Sequence, residues 1–234
     1  MLQSKEISSP LSRHLEELRT HLLLPFAINT ILLLLIISFA SKIILEILNA
    51  INLEINELSS YSPVEYFKTK IYVSLVLSLI FTTPLWFISI YNFSEPGLKE
   101  REKANVKFTM TLGLLFFSIG CLIGFYFVVP EMIDFLLTEN EMVTENLSIY
   151  ETINIIISTS LFTGLLVSTP VVTLLLNRIV KEKKDIRKYI YTLILLIAII
   201  ATPKPSMIIN LIFLLSVTLF AEITLFATRR INGN

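Results

Sequence analysis

The chain has 234 residues, of which 54% are hydrophobic and only 16% charged, with a mean hydropathy of +0.74. Too few polar residues remain to coat a soluble domain of that size, so the composition points to a membrane instead. Its 19 basic and 19 acidic residues cancel, which excludes a strongly basic nucleic-acid binder, and a single cysteine, Cys121, excludes an internal disulfide.

At the N-terminal end, Ser9-Pro10 reads as a helix start. Leu11, Leu15, Leu18 and Leu22 then form one apolar stripe. The pattern predicts a helix along the inner membrane interface that runs into the first span and keeps its charged face in water. Glu17 lies on that face between His14 and His21, at i,i+3 and i,i+4 spacing. The first apolar run starts near Leu22, behind a long mixed-charge segment, so no cleavable leader is expected.

Six apolar segments read as transmembrane helices: residues 22–40, 71–91, 108–129, 153–176, 189–201 and 207–228. The first four approach the roughly 20 residues that cross a ~30 Å hydrocarbon core. The fifth is short, about 20 Å of helix. TPKPS (Thr202–Ser206) separates it from the sixth, because its prolines cannot continue a helix. Local thinning of the bilayer accommodates such a short hairpin. The expected fold is therefore all-α, a single polytopic membrane domain over 1–234.

Between the first two spans, Ile44, Leu48, Ile51, Ile55 and Leu58 follow a 4,3,4,3 spacing, which predicts an amphipathic helix on the membrane surface. SPVE (Ser62–Glu65) then offers a capping serine, a proline at the first helical position and an acid completing a capping box. Ser148 and Glu151 in SIYE repeat the device ahead of the fourth span. Together these predict an outer cap of short helices. With the N-terminus inside, Lys42, Lys68, Lys70 and Lys204 fall outside and the other 15 Lys and Arg fall inside. That bias places both termini on the inner, cytoplasmic side.

Catalytic signatures are missing from the sequence. It holds no G-x-S-x-G, no H-E-x-x-H, no phosphate loop and no Cys/His metal spacing. His14 and His21 are too far apart for an i,i+4 metal pair and read as interfacial polar residues. Ser160, Ser168 and Thr169 have no base at membrane depth to activate them and read as helix contacts. An enzyme is therefore not expected, and neither is a metal or cofactor. Two ionisable regions stand out. Glu222 in LFAEITLF is either an acid near the inner interface, paired with a basic neighbour or open to water, or a functional intramembrane acid. The loop NFSEPGLKEREKANVK (Asn92–Lys107) carries Glu95, Glu100 and Glu102 on the same face as Glu16 and Glu17. Carboxylates gathered at headgroup level bind guanidinium more strongly than they would in bulk water.

HLEELRTHL, SPVEYFK, TTPLWFISIYNFSEPGLKERE, FYFVVPEMIDFL, STP, ATPKPS and LFAEI follow one another in order along nearly the whole chain. In these segments the chain resembles the TatC subunit of the twin-arginine (Sec-independent) protein translocase. The resemblance implies a receptor for the paired arginines of signal peptides, acting on the cytoplasmic face. It implies recruitment of TatA/TatB-type single-span partners and export of folded proteins driven by the proton-motive force, in a prokaryotic plasma membrane or in a thylakoid or inner organellar membrane. Carried over by motif, the signal-peptide residues are Glu17, Arg19, Phe93, Glu95, Leu98 and Glu102. The structural prolines are Pro63, Pro84 and Pro96, and the sixth-span acid is Glu222. Where many relatives carry a fourth-span glutamate two residues before the proline, this chain has Ser168. Partner docking is therefore expected to rest on neutral hydrogen bonds from Thr163, Ser168 and Thr169 around Pro170. Pro205 and Ile209 likewise replace an acid and a glutamine. The competing reading, a six-span secondary transporter or channel, calls for an inverted repeat and midplane charges, and neither is evident.

Overall fold

A computed structural model describes residues 4–53, 58–59, 62–138, 147–179, 188, 190–192 and 207–232. They form helices α1 (Ser4–Ala50), α2 (Pro63–Ser94), α3 (Glu100–Ile123), α4 (Val129–Thr138), α5 (Ile149–Ile179) and α6 (Met207–Asn232). One two-residue parallel pair joins β1 (Leu58–Ser59) to β2 (Leu147–Ser148). Four stretches are long and apolar enough to cross a membrane: Leu15–Ala50, Pro63–Gly97, Lys103–Asp134 and Ile149–Leu174. Within α6 the apolar part is shorter, Leu214–Phe226. Most of the expected fifth span, residues 193–200, lies outside the described residues.

The helices turn large apolar side chains outward. Leu24, Phe26, Ile31 and Leu34 on α1 are each about 60% exposed, and Phe127 is 70% exposed. Water would not tolerate that surface, but hydrocarbon solvates it without penalty. The opposite stripe of α1 is covered, with Pro25, Ala40, Ile44 and Leu48 buried.

Two sequence expectations change here. The N-terminal segment and the first span are one uninterrupted helix starting at Ser4, not at Ser9-Pro10. Among the described residues no separate surface helix follows the first span either, because α1 itself continues to Ala50. It ends in a Schellman-type cap: Asn52 adopts φ 59, the Leu53 amide bonds the Leu48 carbonyl at 3.1 Å, and the Asn52 amide bonds the Asn49 carbonyl at 3.1 Å. Ile44, Leu48, Ile51 and Leu58 are buried in protein, while Ile55 lies outside the described residues. The two segments expected to form an outer cap of short helices hold one short helix, α4, and the β1–β2 pair, Leu58 against Leu147 and Ser59 against Ser148.

The local signals at the two helix starts hold. Ser62 caps α2, its Oγ accepting from the Val64 amide at 3.1 Å, with Pro63 in the first turn. Ser148 Oγ accepts from the Glu151 amide at 3.3 Å where α5 begins.

The chain divides into two compact units. The first comprises Met1–Ile47 and Ser62–Lys107. In it α2 buries a file of hydroxyl residues, Thr69, Ser74, Ser78 and Thr82, each fully covered. Each hydroxyl donates to a carbonyl of its own helix at 2.7–2.9 Å, so none of these four buried groups is left unmet. The second unit comprises Leu48–Tyr61 and Phe108–Asn234. Its centre is α5, which packs against α4, α6 and the π-helical turn Gly124–Val128 that links α3 to α4. Val217, Ala221 and Leu225 form the buried stripe of α6.

α3 and α5 approach closely because glycine lines the crossing. A Cβ on Gly120 would lie 2.8 Å from the Gly164 Cα and from the Val167 Cβ. A Cβ on Gly164 would lie 2.5 Å from Cys121 Sγ, and one on Gly124 would lie 2.9 Å from the Ser160 Cα. Gly120 and Gly124 form a G-x-x-x-G pattern, the small-residue face that lets membrane helices touch backbone to backbone.

Candidate functional site on the first unit

Three short elements of the first unit build the candidate site. α1 contributes Glu16, Glu17, Arg19 and His21, and all but the half-buried His21 are exposed. α2 ends with Phe93 and Ser94, and the turn Glu95–Gly97 follows at once. That turn is a single 3₁₀ turn with Pro96 inside it, closed by the Leu98 amide bonding the Glu95 carbonyl at 3.1 Å. Proline presets the backbone angle the turn requires, and the extended backbone at Leu98 reverses the chain into α3.

The His21 and Phe93 rings lie edge to face, with centroids 6.4 Å apart. This contact sets α1, one turn beyond Glu17, beside the end of α2. It brings together two of the sequence-selected regions, the Glu17/Arg19 helix and the Phe93–Leu98 turn. The sequence marks His21 only as an interfacial polar residue, and its ring contact with Phe93 emerges in the fold.

The loop acids are not all idle. Lys103 Nζ lies 2.9 Å from Glu100 Oε1 and 3.6 Å from Glu95 Oε1. Glu100 and Lys103 are one turn apart at the start of α3, so helix spacing alone makes them neighbours. The hydrogen bond to Glu100, helped by both carboxylate charges, holds the Lys103 ammonium above its ordinary value. Glu102 lies in the first turn of α3, and its side chain is outside the described residues.

The other selected residues occupy the spans. Pro63 opens α2, and Pro84 lies within it, removing the amide that would bond the Ile80 carbonyl. Pro170 does the same to the Leu166 carbonyl inside α5. Ser168 and Thr169 are buried, and both hydroxyls donate to the Leu165 carbonyl at 2.9 Å. Thr163 is half-buried, donates to the Thr159 carbonyl at 2.9 Å and faces Gly124. Glu222, half-buried on α6, accepts a hydrogen bond from the Tyr191 hydroxyl. Among the described residues no group of three or more His, Cys, Asp or Glu side chains is placed to hold a metal.

Residues 13–215 match the family model described as Sec-independent protein translocase protein (TatC). The chain is 24% identical over 229 residues to the Sec-independent protein translocase protein TatC of Methanocella arvoryzae, covering 96% of this chain and 95% of that one. It is 25% identical over 239 residues to TatCy of Bacillus subtilis, covering 98% and 92%. A crystal structure titled as the twin-arginine translocase receptor TatC superposes with a TM-score of 0.68 at 23% identity, over 92% of this chain and all of the other. A second crystal structure of a TatC receptor, in a detergent, gives 0.69 at 24% identity.

Proposed function

The chain belongs to the TatC family of Sec-independent protein translocases, and from that premise we propose that it is the receptor that binds twin-arginine signal peptides on the inner face of the membrane. It is an integral membrane protein and a subunit of the Tat pathway. The observation that carries the proposal is the His21–Phe93 contact, which seats the Glu17 helix beside the Glu95 turn within one unit. A ligand with two guanidinium groups matches acids spread over such a ledge. Each planar fork forms paired hydrogen bonds with a carboxylate, which an ammonium does not.

In this reading Glu17, Glu95 and Glu102 supply negative charge, Arg19 orients Glu17, and Phe93 and Leu98 provide apolar contact. With six spans, the 15-to-4 distribution of Lys and Arg supports an orientation that puts both ends on the cytoplasmic side. TatA/TatB-type single-span partners are placed on α5 around Pro170. Neutral hydrogen bonds from Thr163, Ser168 and Thr169 would each contribute about 0.6–2 kcal/mol there. Because Ser168 and Thr169 are buried, a partner reaches them only after α5 loosens from its neighbours. Glu222 is the acid assigned to coupling with the proton-motive force.

The test is a binding titration in detergent with signal peptides bearing Arg-Arg or Lys-Lys. The Arg-Arg peptide is expected to bind about ten-fold tighter, since a charged bidentate contact contributes about 1.5–3 kcal/mol. Glu102→Gln and Glu17→Gln should each remove most of that preference. Equal binding of both peptides, unchanged by Glu102→Gln, would end the proposal.

A further inference from the structure

A cation already sits among the loop acids. Lys103 Nζ touches Glu100 Oε1 at 2.9 Å and reaches Glu95 Oε1 at 3.6 Å, so both carboxylates are engaged before any ligand arrives. Lys103 does this from the first turn of α3, beside the positive end of the helix dipole, where a cation is disfavoured unless acids compensate it. The arrangement is also exposed: Glu100 is 89% and Glu95 44% accessible, so solvent screens both contacts and keeps them exchangeable. Lysine is a point donor here, one good hydrogen bond and one longer contact, whereas a guanidinium offers a rigid fork to the same oxygens.

We propose that Lys103 is an internal competitor for the site, a stand-in cation that an incoming guanidinium must displace from Glu95 and Glu100, so that it sets the affinity threshold a signal peptide has to clear. The proposal rests on the signal-peptide reading above. Exchange leaves the number of ion pairs unchanged at these acids, and the ligand's advantage is only what its fork adds over an ammonium. Weakly cationic segments therefore stay below the threshold, while paired guanidinium groups pass it. The displaced lysine turns into water, away from the helix end.

The experiment uses the full chain in detergent and a labelled Arg-Arg signal peptide, with Lys103→Gln and Lys103→Arg beside the unaltered chain. Lys103→Gln removes the competitor, and affinity should rise about two- to five-fold, the range an exposed ion pair accounts for. Lys103→Arg keeps the charge but gives the competitor the same fork as the ligand, so affinity should fall by about two-fold or more. A simple field effect of one positive charge leaves Lys103→Arg at the level of the unaltered chain, and that result overturns the proposal. So does Lys103→Gln binding no tighter. Equal binding of Arg-Arg and Lys-Lys peptides by the unaltered chain is a different failure: it sinks the receptor reading first and the competitor with it.

Discussion

The Tyr191 hydroxyl donates its proton to Oε1 of Glu222, joining positions 31 residues apart. A half-buried carboxyl group without a donor is expensive, and this phenol is a specific partner for it. Tyr191→Phe should therefore weaken the packing of α6 by about 0.6 kcal/mol, and by no more than ~1.7. In a double-mutant cycle with Glu222→Gln, measured by unfolding in detergent, the two losses should be less than additive. Full additivity means the two side chains do not interact.

Gly164→Ala should be among the most damaging single-methyl changes in the second unit. The new Cβ meets Cys121 Sγ at 2.5 Å and the Phe117 carbonyl at 3.0 Å, and forced overpacking costs about 1–3 kcal/mol. Cys121→Ala, which removes the nearer atom, should recover part of that loss in the double variant. Gly113→Ala, whose nearest neighbour is Val171 Cγ1 at 3.9 Å, should be close to neutral. Chemical unfolding of the four proteins in one detergent separates these outcomes.

The start of α2 hangs on one side chain. Ser62→Ala removes the acceptor for the Val64 amide and should destabilise the helix start by about 1 kcal/mol. In amide hydrogen exchange this appears as roughly five-fold lower protection confined to the first turn of α2. A change spread evenly along α2 would instead mean that the cap acts on the whole helix.

The Lys103 cluster has a defined pH window. Its folded-state value lies above the ordinary 10.5, so its stabilising contribution is complete below the unfolded value and disappears as pH rises through the folded one. Between pH 6 and about 9 its charge state should not change. The ¹⁵N shift of Lys103 Nζ should therefore titrate with a midpoint above the ordinary 10.5. Salt at about 1 M, where the screening length falls to ~3 Å, should loosen the cluster at neutral pH.

How much of this was legible in the sequence depended on how local the cause was. Ser62 and Ser148 announce their caps within a few residues, and the apolar runs announce their helices. Pro10 lies inside α1 rather than at its start, and Pro25, also inside it, is buried where packing outweighs one missing amide. The stripe from Ile44 to Leu58 could not reveal what covers it: a membrane surface and a protein interior demand the same spacing. The β1–β2 pair and the His21–Phe93 contact join distant segments, so no local pattern encodes them. Gly120, Gly124 and Gly164 are an intermediate case. The G-x-x-x-G pattern was visible, but its partner on α5 was not. Ser168 and Thr169, read from the sequence as helix contacts, are buried as that reading expects, while their part in docking came only from the resemblance.

The π-helical turn at Gly124–Val128 acts as a gear in the rod formed by α3 and α4. One additional residue within it advances everything that follows by about 100° around the helix axis. Met132, whose Sδ receives the Thr159 hydroxyl at 3.5 Å, and Ile133, which is buried, depend on that rotation for their facing. Val129 onward is thus aimed by residue count rather than by contact strength, and shortening the turn by one residue would swing the α4 seam away from α5 while leaving every side chain chemically unchanged.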